Sequence, residues 1–289
     1  MAQNALQRGP IATGGSLGRR GLVDTVMRWL MGAAVAVAVL PLVLLLGYVV
    51  TKGLPALSWT VLTTTRSVSA GGGFANAIIG SVIVLLIAAL IGIPWGILVG
   101  VYLAEFAGGR FGHAVRFFSD VLTGVPTIVT GLVVYGLLVL STGNFSAWAG
   151  GVALGLIMVP IVARSTEEML NLVPDSLREA ALGLGMPKWK VVLRIVLPTA
   201  MAGIVTGALL AIARASGETA PVLVTTLGSN FLVTSPDRPI MSLPLYIYKN
   251  ASQFSPRARE LAWAACLVLI AFILLLSLTA RLIGRRSNV

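Results

Sequence analysis

Residues 77–103 read AIIGSVIVLLIAALIGIPWGILVGVYL, a run of 27 residues without one charged side chain. About 20 consecutive apolar residues in a helix suffice to cross the hydrocarbon core of a bilayer. The run therefore predicts a membrane-spanning helix, interrupted by Pro94. Outward from it, comparable runs occur at 29–50, 121–140, 147–163, 199–226 and 261–282. The composition agrees. Hydrophobic residues make up 57% of the 289 and charged residues 11%, where a soluble domain carries roughly a quarter charged. Mean hydropathy is +0.94. The fold class expected is all-α integral membrane, with six transmembrane helices whose scattered glycines let them pack closely in lipid.

The 22 residues of the first run exceed a signal-peptide core, and no small-residue cleavage pattern follows closely, so an uncleaved anchor is expected. Six spans put both termini on one side of the membrane. That side holds 14 of the 21 Lys and Arg residues, the other holds six, and Arg214 lies within the fifth span. Basic residues accumulate on the cytoplasmic side, so both termini are expected there. The net charge of +11 thus reflects topology, and no nucleic-acid partner is implied. Cys266 is the lone cysteine and His113 the lone histidine, which argues against an intrachain disulfide and a metal site. Trp59 and Trp148 fit interfacial anchoring.

The most charged stretch lies between the fourth and fifth spans, residues 164–198. Ser176 and Glu179 have capping-box spacing and predict a helix start. Gly183 and Gly185 predict its end, and Pro187 the start of another helix. In the second helix, Trp189, Val192, Leu193 and Val196 recur on one face. The local pattern fits a stiff hairpin projecting into the cytosol, and equally a basic amphipathic helix resting on lipid. Pro126 and Pro94 are possible gating kinks, though prolines in spans are more often static bends.

Arg214 lies 15 residues past Thr199, roughly 22 Å along a helix and past the middle of a core about 30 Å thick. Glu218 follows four residues later, on the same face if the helix continues. Such residues in a membrane mark an ion pathway or a bundle interior. Either the two neutralise each other, or Arg214 attracts an anion while Glu218 keeps the site from becoming a trap. A guanidinium fork suits tetrahedral oxyanions. No Gly-x-x-x-x-Gly-Lys-Ser/Thr loop is present for binding nucleotide phosphates. Glu167–Glu168 is similar to a paired-Glu protease motif, but Leu172 stands where Arg would follow. An ion-coupled carrier with Glu218 as proton site is the alternative from another class.

Glu179-Ala180-Ala181, then Gly185 and later Pro198, resembles the EAA loop of ABC-importer permeases. The stretches Gly124–Leu132, Tyr102–Phe106 and Ala213–Pro221 resemble the phosphate permeases of that family, and Glu218-Thr219-Ala220-Pro221 is closer to the PstA type than the PstC type. The resemblance implies a type I ABC-importer permease bundle in a prokaryotic cytoplasmic membrane. Its parts would be a basic tail (1–28), a first span with its outer loop (29–73), a permease core of five spans (74–284) and a C-terminal tail (285–289). It further implies coupling through Glu179, Ala180, Ala181 and Gly185, and a substrate pathway through Arg214, Glu218 and Thr219. Implied partners are a PstC-type permease, two copies of an ABC ATPase and an extracytoplasmic phosphate-binding protein. The partner ATPase would bind ATP and Mg, with no cofactor in this chain. Phosphate is the implied cargo, with sulfate or molybdate as alternatives.

Overall fold

The computed structural model describes residues 17–65 and 72–286. The expected tail residues 1–16 and 287–289, and the outer-loop stretch 66–71 with Arg66, lie outside them. Among the described residues every regular element is helical. Five helices are long and apolar enough to cross a membrane, and a sixth span arises if one sharply bent pair counts as one.

The chain divides into two compact units, 1–51 and 52–289. Helix α1 spans Leu17–Gly53. It starts 12 residues before Trp29, where the expected first span began. Adding a residue to a formed helix is far easier than nucleating one, so the helix of the apolar run propagates into its polar flank.

In the second unit, α2 (Trp59–Thr63) precedes α3, which runs over Ala75–Phe106 with its last five residues, Tyr102–Phe106, in a π-turn. Pro94 lies inside it. The expected third span, 121–140, is a broken element. Helix α4 (Gly109–Gly124) and helix α5 (Thr127–Thr142) meet at 102°. The corner follows from Pro126, which supplies no N–H and holds Val125 extended at φ −67°, ψ 131°. Val121–Gly124 therefore belong to α4, whose Arg110, His113 and Arg116 make it amphipathic. Gly143, at φ +68°, ends α5. Ser146 then caps α6 (Ala147–Asn171) by accepting from the N–H of Ala149 at 3.1 Å.

Helix α7 covers Asp175–Gly183, and α8 runs Lys188–Ser216 with a π-turn at Val192–Val196. The expected fifth span, 199–226, stops at Ser216, and α9 (Ala220–Thr226) begins anew after a break. Pro221 cannot donate to the carbonyl of residue 217 and its ring crowds it, which favours a break here, although Pro94 shows that a span can also absorb this loss. Instead the N–H of Gly217 closes on Arg214 at 3.1 Å and that of Glu218 on Ala215 at 3.2 Å. A short helix absent from the sequence expectation, α10 (Leu243–Ala251), precedes α11 (Pro256–Arg286).

The core is built around α3 against α6. Gly92, Gly96 and Gly100 form one stripe of α3, and a Cβ at each would sit 2.7 Å from Met158 Cβ, 2.6 Å from Val162 Cβ and 2.6 Å from Thr166 Cβ. Lipid tails are as apolar as leucine, so close backbone approach, rather than water exclusion, holds such helices together. Val84, Ile87, Leu154, Met158 and Val162 fill that core, joined by Ala211 and Ala215 of α8.

Candidate functional site

Two regions concentrate the polar side chains. The first is the α7–α8 hairpin. Helix α7 begins directly after Pro174, with no side-chain cap. The expected capping box of Ser176 and Glu179 is therefore absent. Pro174 already holds the helix entry, which leaves Ser176 inside the first turn. Asp175 places its negative charge at the helix N-terminus, where backbone N–H groups favour it.

The end of α7 follows the sequence expectation closely. Gly185 has φ +78°. The N–H of Met186 bonds the carbonyl of Ala181 at 3.2 Å, and that of Gly185 bonds Leu182 at 2.9 Å. This is the Schellman arrangement, with glycine at its left-handed position. Ala181 is buried against Leu170, Val173, Val191 and Val196. Glu179 and Ala180 are exposed, as are Leu182 and Leu184, the latter at 84% of its full surface. Each residue of the Glu-Ala-Ala…Gly pattern thus has a separate task. The acid faces outward, one alanine gives a small surface, the other packs beneath, and the glycine turns the chain.

The expected apolar face of α8 is only half right. Val192 and Val196 are buried, but Trp189 and Leu193 are exposed, and Val191 takes their place inward. The π-turn at Val192–Val196 adds a residue to the turn and shifts the face from Leu193 onward, while Trp189 lies in the turn before it.

Replacing Ser176 with Ala is expected to change the stability of α7 by less than about 0.5 kcal/mol. Gly185→Arg forces an L side chain to φ +78°, which costs roughly 1–2 kcal/mol. Hydrogen exchange of the α7 amides checks both, and an Ser176→Ala effect as large as that of Gly185→Arg would restore the side-chain cap.

The second region is a cavity of about 550 Å3 between α4, α6 and the end of α8, lined by Asp120, Thr123, Arg164, Ser165, Glu168 and Arg214 among others. Arg164 engages Glu168 at 2.9 Å and Asp120 at 3.4 Å. Arg116 of α4 holds Glu167 from another side, so the two adjacent glutamates are committed to different arginines. Of the two arginines lining the cavity, Arg214 alone has no carboxylate partner among the described residues. It sits in the last turn of α8, where the carbonyl end of the helix stabilises a cation by about 0.3–1 kcal/mol.

Because the helix breaks after Ser216, Glu218 does not follow Arg214 on one face, and no ion pair joins them among the described residues. Glu218 is half-buried and lines a separate space of about 10 Å3 beside Ser81, Ser216 and Ser242. The Ser242 hydroxyl there is buried without a partner. Thr219 occupies the entry to α9 without capping it. Gly131 of α5 lies against Pro221, where a Cβ would be 2.6 Å from Pro221 Cα. The stretches 124–132 and 213–221, separate in sequence, are therefore packed together.

Sequence reasoning missed the roles of Glu105 and Arg178. Arg178 of α7 reaches Glu105 at the end of α3, with Nη2–Oε1 2.8 Å and Nε–Oε1 3.1 Å. The available signal was Glu105 itself, the single charged residue in α3.

Residues 92–289 match the family of binding-protein-dependent transport system inner membrane components. The chain is 47% identical over 242 residues to the phosphate transport system permease protein PstA of Yersinia pestis, covering 83% of this chain and 82% of that one. It is 40% identical over 272 residues to PstA 1 of Mycobacterium tuberculosis (strain ATCC 25618 / H37Rv), covering 92% and 88%. Its fold resembles a bacterial alginate ABC transporter chain, with TM-score 0.66, 15% identity and coverage of 91% and 96%. It also resembles a chain of the inward-facing methionine ABC transporter MetNI, with TM-score 0.62, 18% identity and coverage of 74% and 95%.

Proposed function

We propose a mechanism from one premise: the chain belongs to the binding-protein-dependent transport system inner membrane components, and within them to the PstA permeases of phosphate transport systems. It is the multi-pass permease subunit of an ABC importer for phosphate, in the inner membrane. Arg214, unpaired in a cavity of about 550 Å3, is the observation that carries the phosphate pathway. A cavity of that size lies within the roughly 300–1,000 Å3 typical of small-molecule sites. The guanidinium offers a forked set of donors to a tetrahedral oxyanion. Thr123 and Ser165 also line the cavity, each donating its hydroxyl to a carbonyl of its own helix, Ser119 at 3.0 Å and Val162 at 3.2 Å. Asp120 and Glu168 are held by Arg164, which leaves Arg214 as the attraction and keeps the site weak enough to release its ion. Glu218 and Thr219, at the break beyond Arg214, shape the neighbouring segment of the pathway.

In this reading the chain pairs with a PstC-type permease, and the exposed Glu179, Ala180, Leu182 and Leu184 of the hairpin dock on one of two cytoplasmic ATPase subunits. The ATPases bind ATP and Mg and hydrolyse the ATP. An extracytoplasmic binding protein delivers phosphate on the opposite face, and alternating access passes it across. The excess of Lys and Arg on one side supports placing both termini and the hairpin in the cytoplasm.

The test is phosphate uptake by cells lacking this gene, complemented with the wild-type chain, with and without a protonophore at constant ATP. Uptake that survives the protonophore and fails on ATP depletion is expected. Uptake lost with the proton gradient alone would make this chain an ion-coupled carrier. Restored sulfate uptake without phosphate uptake would keep the importer and change its cargo.

A further inference from the structure

The charged groups least explained by a phosphate pathway are Glu105 and Arg178, 73 residues apart in sequence. The Arg178 side chain is 17% exposed and that of Glu105 is 6% exposed. Two buried charges are costly unless both are fully engaged, and the guanidinium is engaged on every side. Nη2 and Nε donate to Glu105 Oε1 at 2.8 and 3.1 Å. Nη2 also donates to the carbonyl of Leu170 at 2.8 Å. Nη1 donates to the carbonyl of Val173, just past the end of α6, and to Asp175 at 3.1 Å. One side chain thus ties α7 to the last turn of α6 and to the π-turn ending α3. That π-turn receives the other arm of the hairpin as well, since Lys188 Nζ lies 5.1 Å from the Phe106 ring centroid.

A neutral or flexible contact would hold the hairpin in place equally well at rest. A fork bonded to a carboxylate and two carbonyls does more, because it resists rotation as well as separation. We propose that Arg178 and Glu105 are positioning residues for coupling. They lock the hairpin to α3 and α6 as one body, so that displacement imposed on α7 moves the two most extensively packed spans. The inference rests on the importer reading above. It adds that force enters the bundle through this pair rather than through the covalent connection to α8 alone.

The experiment uses the assembled importer, with both permeases and the ATPases, reconstituted in lipid vesicles with the binding protein. Phosphate taken up per ATP hydrolysed is measured for wild type, Arg178→Lys and Glu105→Gln, normalised to assembled complex. Arg178→Lys keeps the charge and loses the fork; Glu105→Gln keeps the acceptor and loses the charge. Both are expected to lower the uptake-to-hydrolysis ratio by roughly fivefold or more, the scale of a typical coupling energy. An unchanged ratio, at whatever level of assembly, would overturn the lock, because a merely structural role lowers the amount of complex without changing its stoichiometry. For a variant that does not assemble, hydrogen exchange of the wild-type complex decides. Protection of α7 and of Tyr102–Phe106 is expected to change together between nucleotide states, and independent change would overturn the proposal. Wild-type vesicles that hydrolyse ATP without phosphate uptake would sink the importer reading instead.

Discussion

Replacing Arg214 with Gln is expected to abolish phosphate uptake at limiting phosphate while leaving the permease in the membrane at wild-type level. The cation lines the cavity of about 550 Å3 and has no carboxylate partner among the described residues, so its removal leaves no buried acid orphaned and little reason for the fold to fail. What is lost is a charge-assisted hydrogen bond to the anion, about 1.5–3 kcal/mol, or roughly 10- to 150-fold in occupancy. Arg214→Lys should fall between the two, since it keeps the charge and gives up the planar fork. Uptake of labelled phosphate at matched expression checks both. Full rescue by Arg214→Gln would reduce the residue to a helix-end cation and move the pathway elsewhere in the cavity.

Gly96→Leu is expected to remove folded permease altogether. A Cβ at this position would lie 2.6 Å from Val162 Cβ and 2.8 Å from its Cγ1, with the Val159 carbonyl 3.0 Å away. Two of these are parts of a helix that cannot rotate aside, so α3 and α6 must separate. Overpacking of a well-filled core costs about 1–3 kcal/mol, and here it adds to the loss of close packing that alone drives association in lipid. Gly32→Leu in α1 is the control, because a Cβ there meets nothing within 4 Å. Thermal unfolding in detergent should separate them, with Gly96→Leu far less stable and Gly32→Leu close to wild type. Equal behaviour would remove the α3–α6 stripe from its central place in the fold.

Much of the hairpin was legible in the sequence and part of it was not. Gly185 declares itself, since a glycine after a short helical pattern supplies a left-handed residue whatever surrounds it. The cap at Ser176 was misplaced because Pro174 also starts helices, and two start signals two residues apart compete. Trp189 and Leu193 share a face with Val192 and Val196 by their spacing, yet both are exposed where α8 carries a π-turn at Val192–Val196. The third span concealed a 102° corner. Pro126 announced a bend, but a proline alone does not tell a shallow kink absorbed by neighbours from a change of direction.

The sequence by itself determined that this chain lives in a membrane, roughly where it crosses, and where its charged hairpin begins to turn back. These follow from properties carried within a turn or two of chain: the length of an apolar run, the missing N–H of a proline, the open φ of a glycine. Only the tertiary structure decided that Arg214 and Glu218 part company, that residues 131 and 221 touch, and that Arg178 finds Glu105 across 73 positions. An ion pair or a cavity depends on which helices are neighbours and how they are rotated. That is set by the summed packing of many glycine and alkyl contacts between α3, α6 and α8, none of which is visible from either partner alone.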